Sequence, residues 1–218
     1  CVCVCTLDSL KNATNNKDFS TIFKFDKNGT LRMVITLNRL VASMSYSEDY
    51  AITDDTASTN IYDQNLQIVI VVDQENKSQL LSFGTLIDKT TNGFYEYFNA
   101  LKNLHHRSPR IFVVDRSYPQ LMALKMVYPE SIIVFCHIHI RRDLEKYFKI
   151  EDDIIKYWQI MNKDIRNAKD LVEIIEKRIS ESQNFHGREA LMELLNTQEH
   201  WNPLLLIQKG CFMNWNTN

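Results

Sequence analysis

The stretch that decides the fold is Arg110-Ile-Phe-Val-Val-Asp115-Arg-Ser-Tyr-Pro119. Residues 110–114 are mostly β-branched or aromatic, and the run stops at an acidic side chain and a turn. This pattern predicts a short buried strand with a carboxylate at its carboxyl end. Because ligands of open α/β sheets bind just outside the carboxyl ends of strands, Asp115 is better placed to hold a metal ion than to pack.

The elements around this stretch alternate as in an α/β protein. A meander of three strands is predicted at Tyr50–Thr56, Gln67–Asp73 and Gln79–Ile87. After it come a helix over Gly93–Leu104, the strand at 110–115, a helix at about 118–127 and a strand at 131–136. The order β-β-β-α-β-α-β predicts a mixed five-stranded sheet with helices on its faces.

Two segments flank this predicted core, which spans residues 48–139. Residues 1–47 are predicted to hold a hairpin, with its turn at Asp26–Gly29, and a short helix at 38–47. Residues 140–209 are predicted to form an all-helical insertion, and residues 210–218 to begin the return to the core. The helices of this region are predicted at 138–149, 151–163, 167–182 and 187–196.

Composition limits the class of protein. The 218 residues are 44% hydrophobic and 24% charged, as in ordinary globular domains. No run reaches the roughly 18 apolar residues of a membrane span, so no membrane partner is expected. The alternation of Cys1, Cys3 and Cys5 favours a strand or domain boundary in a reducing compartment over a disulfide framework or zinc site. A net charge of −2 argues against tight DNA binding by this chain alone.

A second carboxylate is predicted beside Asp115. In this topology the first meander strand neighbours the strand at 110–115, so Asp54, near the end of Tyr50–Thr56, would lie next to Asp115. Two converging carboxylates repel each other unless a cation lies between them, and Mg²⁺ or Mn²⁺ suits such oxygen ligands. The alternative for either acid alone is a turn residue.

Four stretches carry a resemblance to a known family. Ile52-Thr-Asp54-Asp-Thr56-Ala-Ser-Thr-Asn60 resembles the Asp-x-Thr…Asn signature of Mutator-like element (MULE) transposases, and Phe112-Val-Val-Asp115-Arg-Ser resembles their second catalytic strand. Tyr128 to Leu144 resembles the family's strand and Cys-x-x-His motif, and Gly210 to Asn218 the segment before the third acidic residue. The resemblance implies a ribonuclease H-like fold with an Asp-Asp-Glu site.

The same resemblance implies roles for individual acids. Asp54 and Asp115 would be catalytic metal ligands, with the third acid expected a few residues past Asn218, since the chain is expected to be a fragment. Glu193 and Glu199 are weaker alternatives for that third acid. The family pattern selects Asp54 over its neighbour Asp55. Thr56 would either hydrogen-bond a carboxylate or be a turn residue.

Other candidates lie around the Cys-x-x-His pair. By resemblance, Cys136 and His139 support the site or contact DNA, and the alternative is a buried cysteine and a helix-start histidine. A structural zinc site needs four ligands, and although His137 and Cys211 are available, nothing requires zinc. Arg141 and Arg142 would face either DNA phosphates or solvent. Trp201 would stack on an unpaired base or pack in the core.

The function implied is DNA transposition: metal-dependent cleavage of phosphodiester bonds and strand transfer at transposon ends. The expected partners are transposon-end and target DNA and further copies of the chain, in the nucleus. The alternative is a domesticated, catalytically inactive MULE-derived transcription regulator that associates with DNA. A ribonuclease H-like nuclease outside transposition is disfavoured by the long helical insertion.

Overall fold

The computed structural model describes residues 19–25, 31–37, 50–56, 65–72, 77–86, 88–105, 108–149, 152–163 and 167–211. The chain divides into two compact units, Cys1–Ile133 and Val134–Asn218. The turn predicted at Asp26–Gly29 and the helix predicted at 38–47 lie outside the described residues. The predicted boundaries of the core and the helical insertion stay predictions.

One mixed sheet contains the seven strands of the described chain. They are β1 (Phe19–Phe25), β2 (Leu31–Leu37), β3 (Tyr50–Thr56), β4 (Asn65–Val72), β5 (Ser78–Leu86), β6 (Ile111–Val114) and β7 (Ile132–Phe135). Across the sheet they follow the order β1-β2-β5-β4-β3-β6-β7. β3, β4 and β5 pair antiparallel, whereas β6 runs parallel to β3. The predicted mixed sheet, with the first meander strand next to the strand at 110–115, is thereby confirmed.

The number of strands differs from the prediction of five, because the N-terminal hairpin joins the sheet. β2 pairs antiparallel with β5, with Val34 opposite Gly84 and Thr36 opposite Ser82. The hydroxyl of Ser82 donates to the carbonyl of Ile35 at 2.9 Å. Val34, Thr36 and Ser82 are buried. The apolar and hydroxyl side chains of β2 therefore find partners on β5 and extend the sheet.

Helix α1 (Thr91–His105) covers one face of the sheet. It begins where the Thr90 hydroxyl accepts a hydrogen bond from the Gly93 amide at 3.1 Å, a typical N-cap. Its buried side chains follow the predicted helical spacing and are Phe94, Tyr97, Phe98 and Leu101. The Tyr97 hydroxyl donates to Ser82 Oγ at 3.2 Å, so Ser82 lies on the face that α1 covers. Burial raises the pKa of Tyr97, which keeps this donor protonated.

Strand β6 is fixed by aromatic packing on the same face. The Phe112 ring lies 6.2 Å from the Phe98 ring of α1 and 4.9 Å from the Tyr128 ring, measured between centroids. Helix α2 (Tyr118–Val127) follows directly and buries Leu121 and Leu124. This helix and the strands on either side of it confirm the predicted elements.

The second unit is helical after the end of β7. Its helices are α3 (His137–Glu145), α4 (Asp153–Lys163), α5 (Ala168–Glu181), α6 (Phe185–Asn196) and α7 (Pro203–Gln208), with a short 3₁₀ turn at Gln198–His200. Trp158 and Trp201 are its largest fully buried side chains. Among the described residues, no helix combines the length and apolarity that a membrane crossing needs.

Candidate metal site at a sheet edge

The pairing of β3 with β6 brings Asp54 and Asp115 to the same end of two neighbouring strands. The parallel register sets Tyr50 opposite Ile111 and Ile52 opposite Val113. Extended by two residues, the same register sets Asp54 opposite Asp115, just past the carboxyl end of β6. Neighbouring strands lie about 4.8 Å apart. The pair, called here the carboxylate edge, therefore lies where ligands of such sheets bind.

Strand alternation predicts that both carboxylates lie on the side of the sheet away from α1. Along β3, Thr53 and Asp55 point towards the α1 face, whereas Ile52, Asp54 and Thr56 are exposed on the other. Thr53 pairs with Val69, which in turn pairs with Ser82, the residue bound by α1. Strand side chains alternate between the two faces. In β6 this alternation directs Phe112 towards α1, so Val113 and, two residues on, Asp115 fall on the other side.

Each carboxylate is held by the next backbone amide. Asp54 Oδ1 accepts a hydrogen bond from the Asp55 amide at 2.9 Å, and Asp115 Oδ1 accepts one from the Arg116 amide at 2.6 Å. The Ser117 amide also donates to the Asp115 carbonyl at 2.7 Å, which closes the turn after β6. Each acid thus has the same kind of local hydrogen bond, and its orientation is linked to its own backbone.

Asp55 has a different partner and a different environment. Its carboxylate forms an ion pair with Lys89, from the turn between β5 and α1, and its side chain is 7% exposed. Lys89 is 49% exposed, so its ammonium group stays close to solvent. A carboxylate bound to a lysine on the far face of β3 is not available to the carboxylate edge. Asp54 and Asp55 thus differ in exposure and in partner, while the choice of Asp54 as the ligand stays a prediction.

The donor set of the carboxylate edge suits a hard divalent cation but is incomplete. Two carboxylates provide the oxygen ligands that Mg²⁺ and Mn²⁺ prefer. No group of three or more histidine, cysteine or acidic side chains with metal-binding geometry occurs within the described ranges. Glu193 and Glu199, the alternatives for a third acid, lie in the second unit, where Glu199 pairs with Lys209 at 2.9 Å. Asp54 and Asp115 thus fit a cation as two of its ligands.

Comparison with known proteins agrees with the predicted resemblance. Residues 50–143 match the family model of the MULE transposase domain. The matched region begins at β3 and ends in α3, so it includes Asp54, Asp115 and the Cys136–His139 pair. Trp201 lies outside it. The resemblance predicted from the four sequence stretches is thereby confirmed for this part of the chain.

A similar curated protein provides a second comparison. Protein FAR1-RELATED SEQUENCE 6 of Arabidopsis thaliana is 27% identical over 130 residues. These residues make up 59% of this chain and 18% of the relative. The chain thus spans less than a fifth of that protein's length. Together the two comparisons support a transposase-derived origin and leave open whether catalysis is retained.

The Cys-x-x-His pair lies at the start of α3. Cys136 is the N-cap residue with a free, half-buried thiol, and His139 is half-buried one turn into the helix. Cys211 forms no disulfide and is fully buried. No zinc-binding group of three or more ligands occurs in the described part of the chain. The support or DNA-contact role of the pair stays a prediction.

Trp201 belongs to a buried group in the second unit. Its indole is fully buried, lies 5.3 Å from the Trp158 ring and donates to the Leu194 carbonyl at 2.7 Å. The His137 ring lies 5.2 Å from Trp158, and its Nε2 is 3.1 Å from the Trp201 carbonyl. His137, Trp158 and Trp201 are called here the aromatic cluster. Core packing, and not base stacking, is therefore the role the structure gives Trp201.

The basic residues of α3 are partly neutralised by acids on the same helix. Arg141 pairs with Glu145 at 2.7 Å, and Lys146 pairs with Asp143. Arg142 is exposed. The local pairs favour the solvated-face alternative for Arg141, whereas Arg142 retains an exposed guanidinium that a phosphate can reach.

Sequence reasoning missed two residues next to the carboxylate edge. Lys89 pairs with Asp55, and Gln67 of β4 donates from Nε2 to the Thr53 hydroxyl and, at 2.9 Å, to the Asp54 carbonyl. The sequence contained a signal for Gln67, because it is an amide directly before the apolar run Ile68–Val72 of a predicted central strand. Lys89 had no such signal, since a lysine in a turn is ordinarily solvated.

Proposed function

We propose that residues 50–143 form the catalytic domain of a DNA transposase with a ribonuclease H-like fold. The observation that supports this proposal is the β3–β6 register, which ends at Ile52 opposite Val113 and, if it continues for two residues, would bring Asp54 opposite Asp115. The family match supports the transposase class. The activity is cleavage of a phosphodiester at the transposon end, followed by attack of the freed 3′ hydroxyl on target DNA.

In this proposal the protein mainly positions DNA and supplies negative charge. Asp54 and Asp115 would hold Mg²⁺ or Mn²⁺, and the third acid that the resemblance implies would complete the set. Such a cation lowers the pKa of bound water and neutralises charge on the phosphate. Asp55, the other acid close to the carboxylate edge, is neutralised by its ion pair with Lys89. Phosphoryl transfer needs little beyond this positioning and electrostatic stabilisation. The same proposal includes two kinds of partner, namely transposon-end and target DNA and further copies of the chain. It also includes a nuclear location.

The second candidate function is a DNA-associated transcription regulator without catalysis. It is favoured by the relative, which carries the name of the FAR1-related proteins and not of a transposase. In this case the fold would be retained as a binding module, and cleavage would be absent at every concentration of Mg²⁺ or Mn²⁺.

The deciding experiment uses the full-length protein and labelled transposon-end DNA. We expect nicking that requires Mg²⁺ or Mn²⁺, abolished by Asp115→Asn with DNA binding retained. Glu130→Gln, which changes an exposed acid between α2 and β7, is the matched control and should cut as the wild type does. Cleavage by Asp115→Asn at the wild-type rate would refute the catalytic assignment. DNA binding without cleavage by the wild type would favour the regulator.

A further inference from the structure

Gln67 is a polar residue in an apolar environment. It lies inside the run Asn65-Leu-Gln-Ile-Val-Ile-Val-Val of β4, a central strand, and is fully buried. Its Oε1 has no hydrogen-bond partner within the described ranges. A buried amide that is only partly satisfied costs stability relative to an apolar side chain of similar size. Such a residue calls for a functional explanation.

The two shorter hydrogen bonds of the Gln67 amide are directed to the strand that carries Asp54, and a third, of 3.4 Å, goes to the Ile68 carbonyl of its own strand. Nε2 donates to Thr53 Oγ1, one residue before Asp54, and to the backbone carbonyl of Asp54 itself at 2.9 Å. In the strand register Gln67 is opposite Asp55, one residue after Asp54. The Gln67 side chain therefore contacts β3 on the face that α1 covers, directly behind the exposed Asp54 carboxylate.

The need for such a contact follows from the sheet. Pairing of β3 with β6 extends from Tyr50↔Ile111 to Ile52↔Val113. Beyond it β6 ends and turns at Asp115, whereas β3 continues to Thr56 along β4. The Asp54 carboxylate accepts from the Asp55 amide, so any tilt of this backbone segment also moves the carboxylate. A side-chain donor on the Asp54 carbonyl restrains that tilt.

We propose that Gln67 is a positioning residue that holds Asp54 in register with Asp115 for binding of a divalent cation. This inference rests on the proposed metal-dependent function of the carboxylate edge. Gln67 does not itself touch the cation or DNA. Its role is that of an outer partner, which orients a ligand through the ligand's own backbone.

The test is Mn²⁺ binding by the full-length protein, followed by electron paramagnetic resonance of the free ion. Gln67→Met keeps the side-chain length and removes both amide donors. We expect its Mn²⁺ affinity to fall about tenfold, because outer-partner substitutions typically cost 10- to 100-fold. Its metal-free melting temperature should be unchanged or higher, since an unsatisfied buried carbonyl is also removed.

Two controls separate positioning from folding. Ser82→Ala removes a fully buried hydroxyl of β5, which donates to the Ile35 carbonyl and accepts from the Tyr97 hydroxyl of α1. Ser82 belongs to the same sheet as Gln67 but lies away from the carboxylate edge. It should lower the melting temperature and leave Mn²⁺ affinity unchanged. Should Gln67→Met fail to fold, Thr53→Val and Thr53→Ser provide the same contrast. The valine variant loses the hydroxyl that Gln67 binds and should bind Mn²⁺ more weakly, whereas the serine variant keeps it and should bind normally.

The outcomes distinguish this inference from the proposed function. Asp54→Asn and Asp115→Asn should both abolish the Mn²⁺ affinity of the wild type. If they do, and Gln67→Met or Thr53→Val still binds within twofold of wild type, the role of Gln67 is refuted and the metal site stands. If the wild type binds no Mn²⁺, or both asparagine variants bind normally, the metal site itself is refuted and this inference with it.

Discussion

The carboxylate edge of the first unit and the aromatic cluster of the second differ in exposure and in hydrogen bonding. Asp54 is exposed on the sheet face away from α1, with an adjacent backbone amide as its donor. Trp201 is fully buried and bonded to the Leu194 carbonyl. In the sequence both are conspicuous residues at the end of an element. Burial, more than residue type, therefore separates a candidate ligand from a core side chain.

The largest expected effect on stability is at the aromatic cluster. Trp201→Ala should lower the free energy of unfolding by about 3–5 kcal/mol, because it leaves a large cavity against Trp158. Denaturant unfolding followed by circular dichroism measures the loss. Met192→Ala, at a side chain 45% exposed on α6, should change stability by less than about 0.5 kcal/mol. A Trp201→Ala variant as stable as wild type but weaker on single-stranded DNA would restore the base-stacking hypothesis.

The next largest effect on stability is expected at Gly93, which packs closely against the turn that carries Lys89. A β-carbon added at Gly93 would lie 2.5 Å from the Asp88 carbonyl oxygen and 2.5 Å from its carboxylate. The Asp88 carboxylate also accepts from Thr90, so the turn cannot shift without losing that contact. Gly93→Ala should therefore destabilise the protein by about 1–3 kcal/mol, measured by thermal unfolding. Asn92→Ala, at the exposed neighbour, is the control and should lie within about 0.5 kcal/mol of wild type. Equal melting temperatures for the two variants would contradict the close approach at Gly93.

The order and pairing of the elements were largely predictable, and the reasons are local. The apolar run of β4, the aromatic spacing of α1 and the acid after β6 each have a periodicity or an end signal in the sequence. The joining of β2 to β5 was not predictable, because edge pairing depends on hydrogen bonds between distant segments such as Ser82 to Ile35. The adjacency of the strands that lead to Asp54 and Asp115 followed from topology alone.

Exposure was the part of the site that the sequence could not give. Asp54 and Asp55 are the same residue type at adjacent positions, and only the family pattern distinguished them. Their difference arises from strand alternation together with the position of Lys89, which comes from a different turn. Similarly, the burial of Trp201 depends on Trp158, which lies 43 residues earlier in the chain.

A smaller effect on stability is expected at Asp54 and Asp55, the adjacent acids of β3. Asp55→Asn loses the ion pair with Lys89 and should cost about 1 kcal/mol, a modest value because Lys89 remains half-exposed and can return to solvent. Asp54→Asn should leave metal-free stability unchanged or slightly higher, since repulsion from Asp115 is relieved. Thermal unfolding with and without Mn²⁺ measures both. Mn²⁺ should raise the melting temperature of Asp55→Asn and not that of Asp54→Asn; the reverse would exchange their roles.

The smallest effect on stability is expected at Gln67 and Gln120, two buried glutamines of the first unit. Gln120 of α2 is fully buried, and neither polar atom of its amide has a hydrogen-bond partner within the described ranges. Gln120→Leu should therefore be neutral or stabilising by up to about 1 kcal/mol, because it removes an unsatisfied amide and keeps the volume. Gln67→Met should resemble it in thermal unfolding yet differ in Mn²⁺ affinity, which Gln120→Leu should leave at the wild-type value. If Gln120→Leu weakens Mn²⁺ binding as much as Gln67→Met does, general loosening of the first unit explains both, and the specific contact from Gln67 to Asp54 does not.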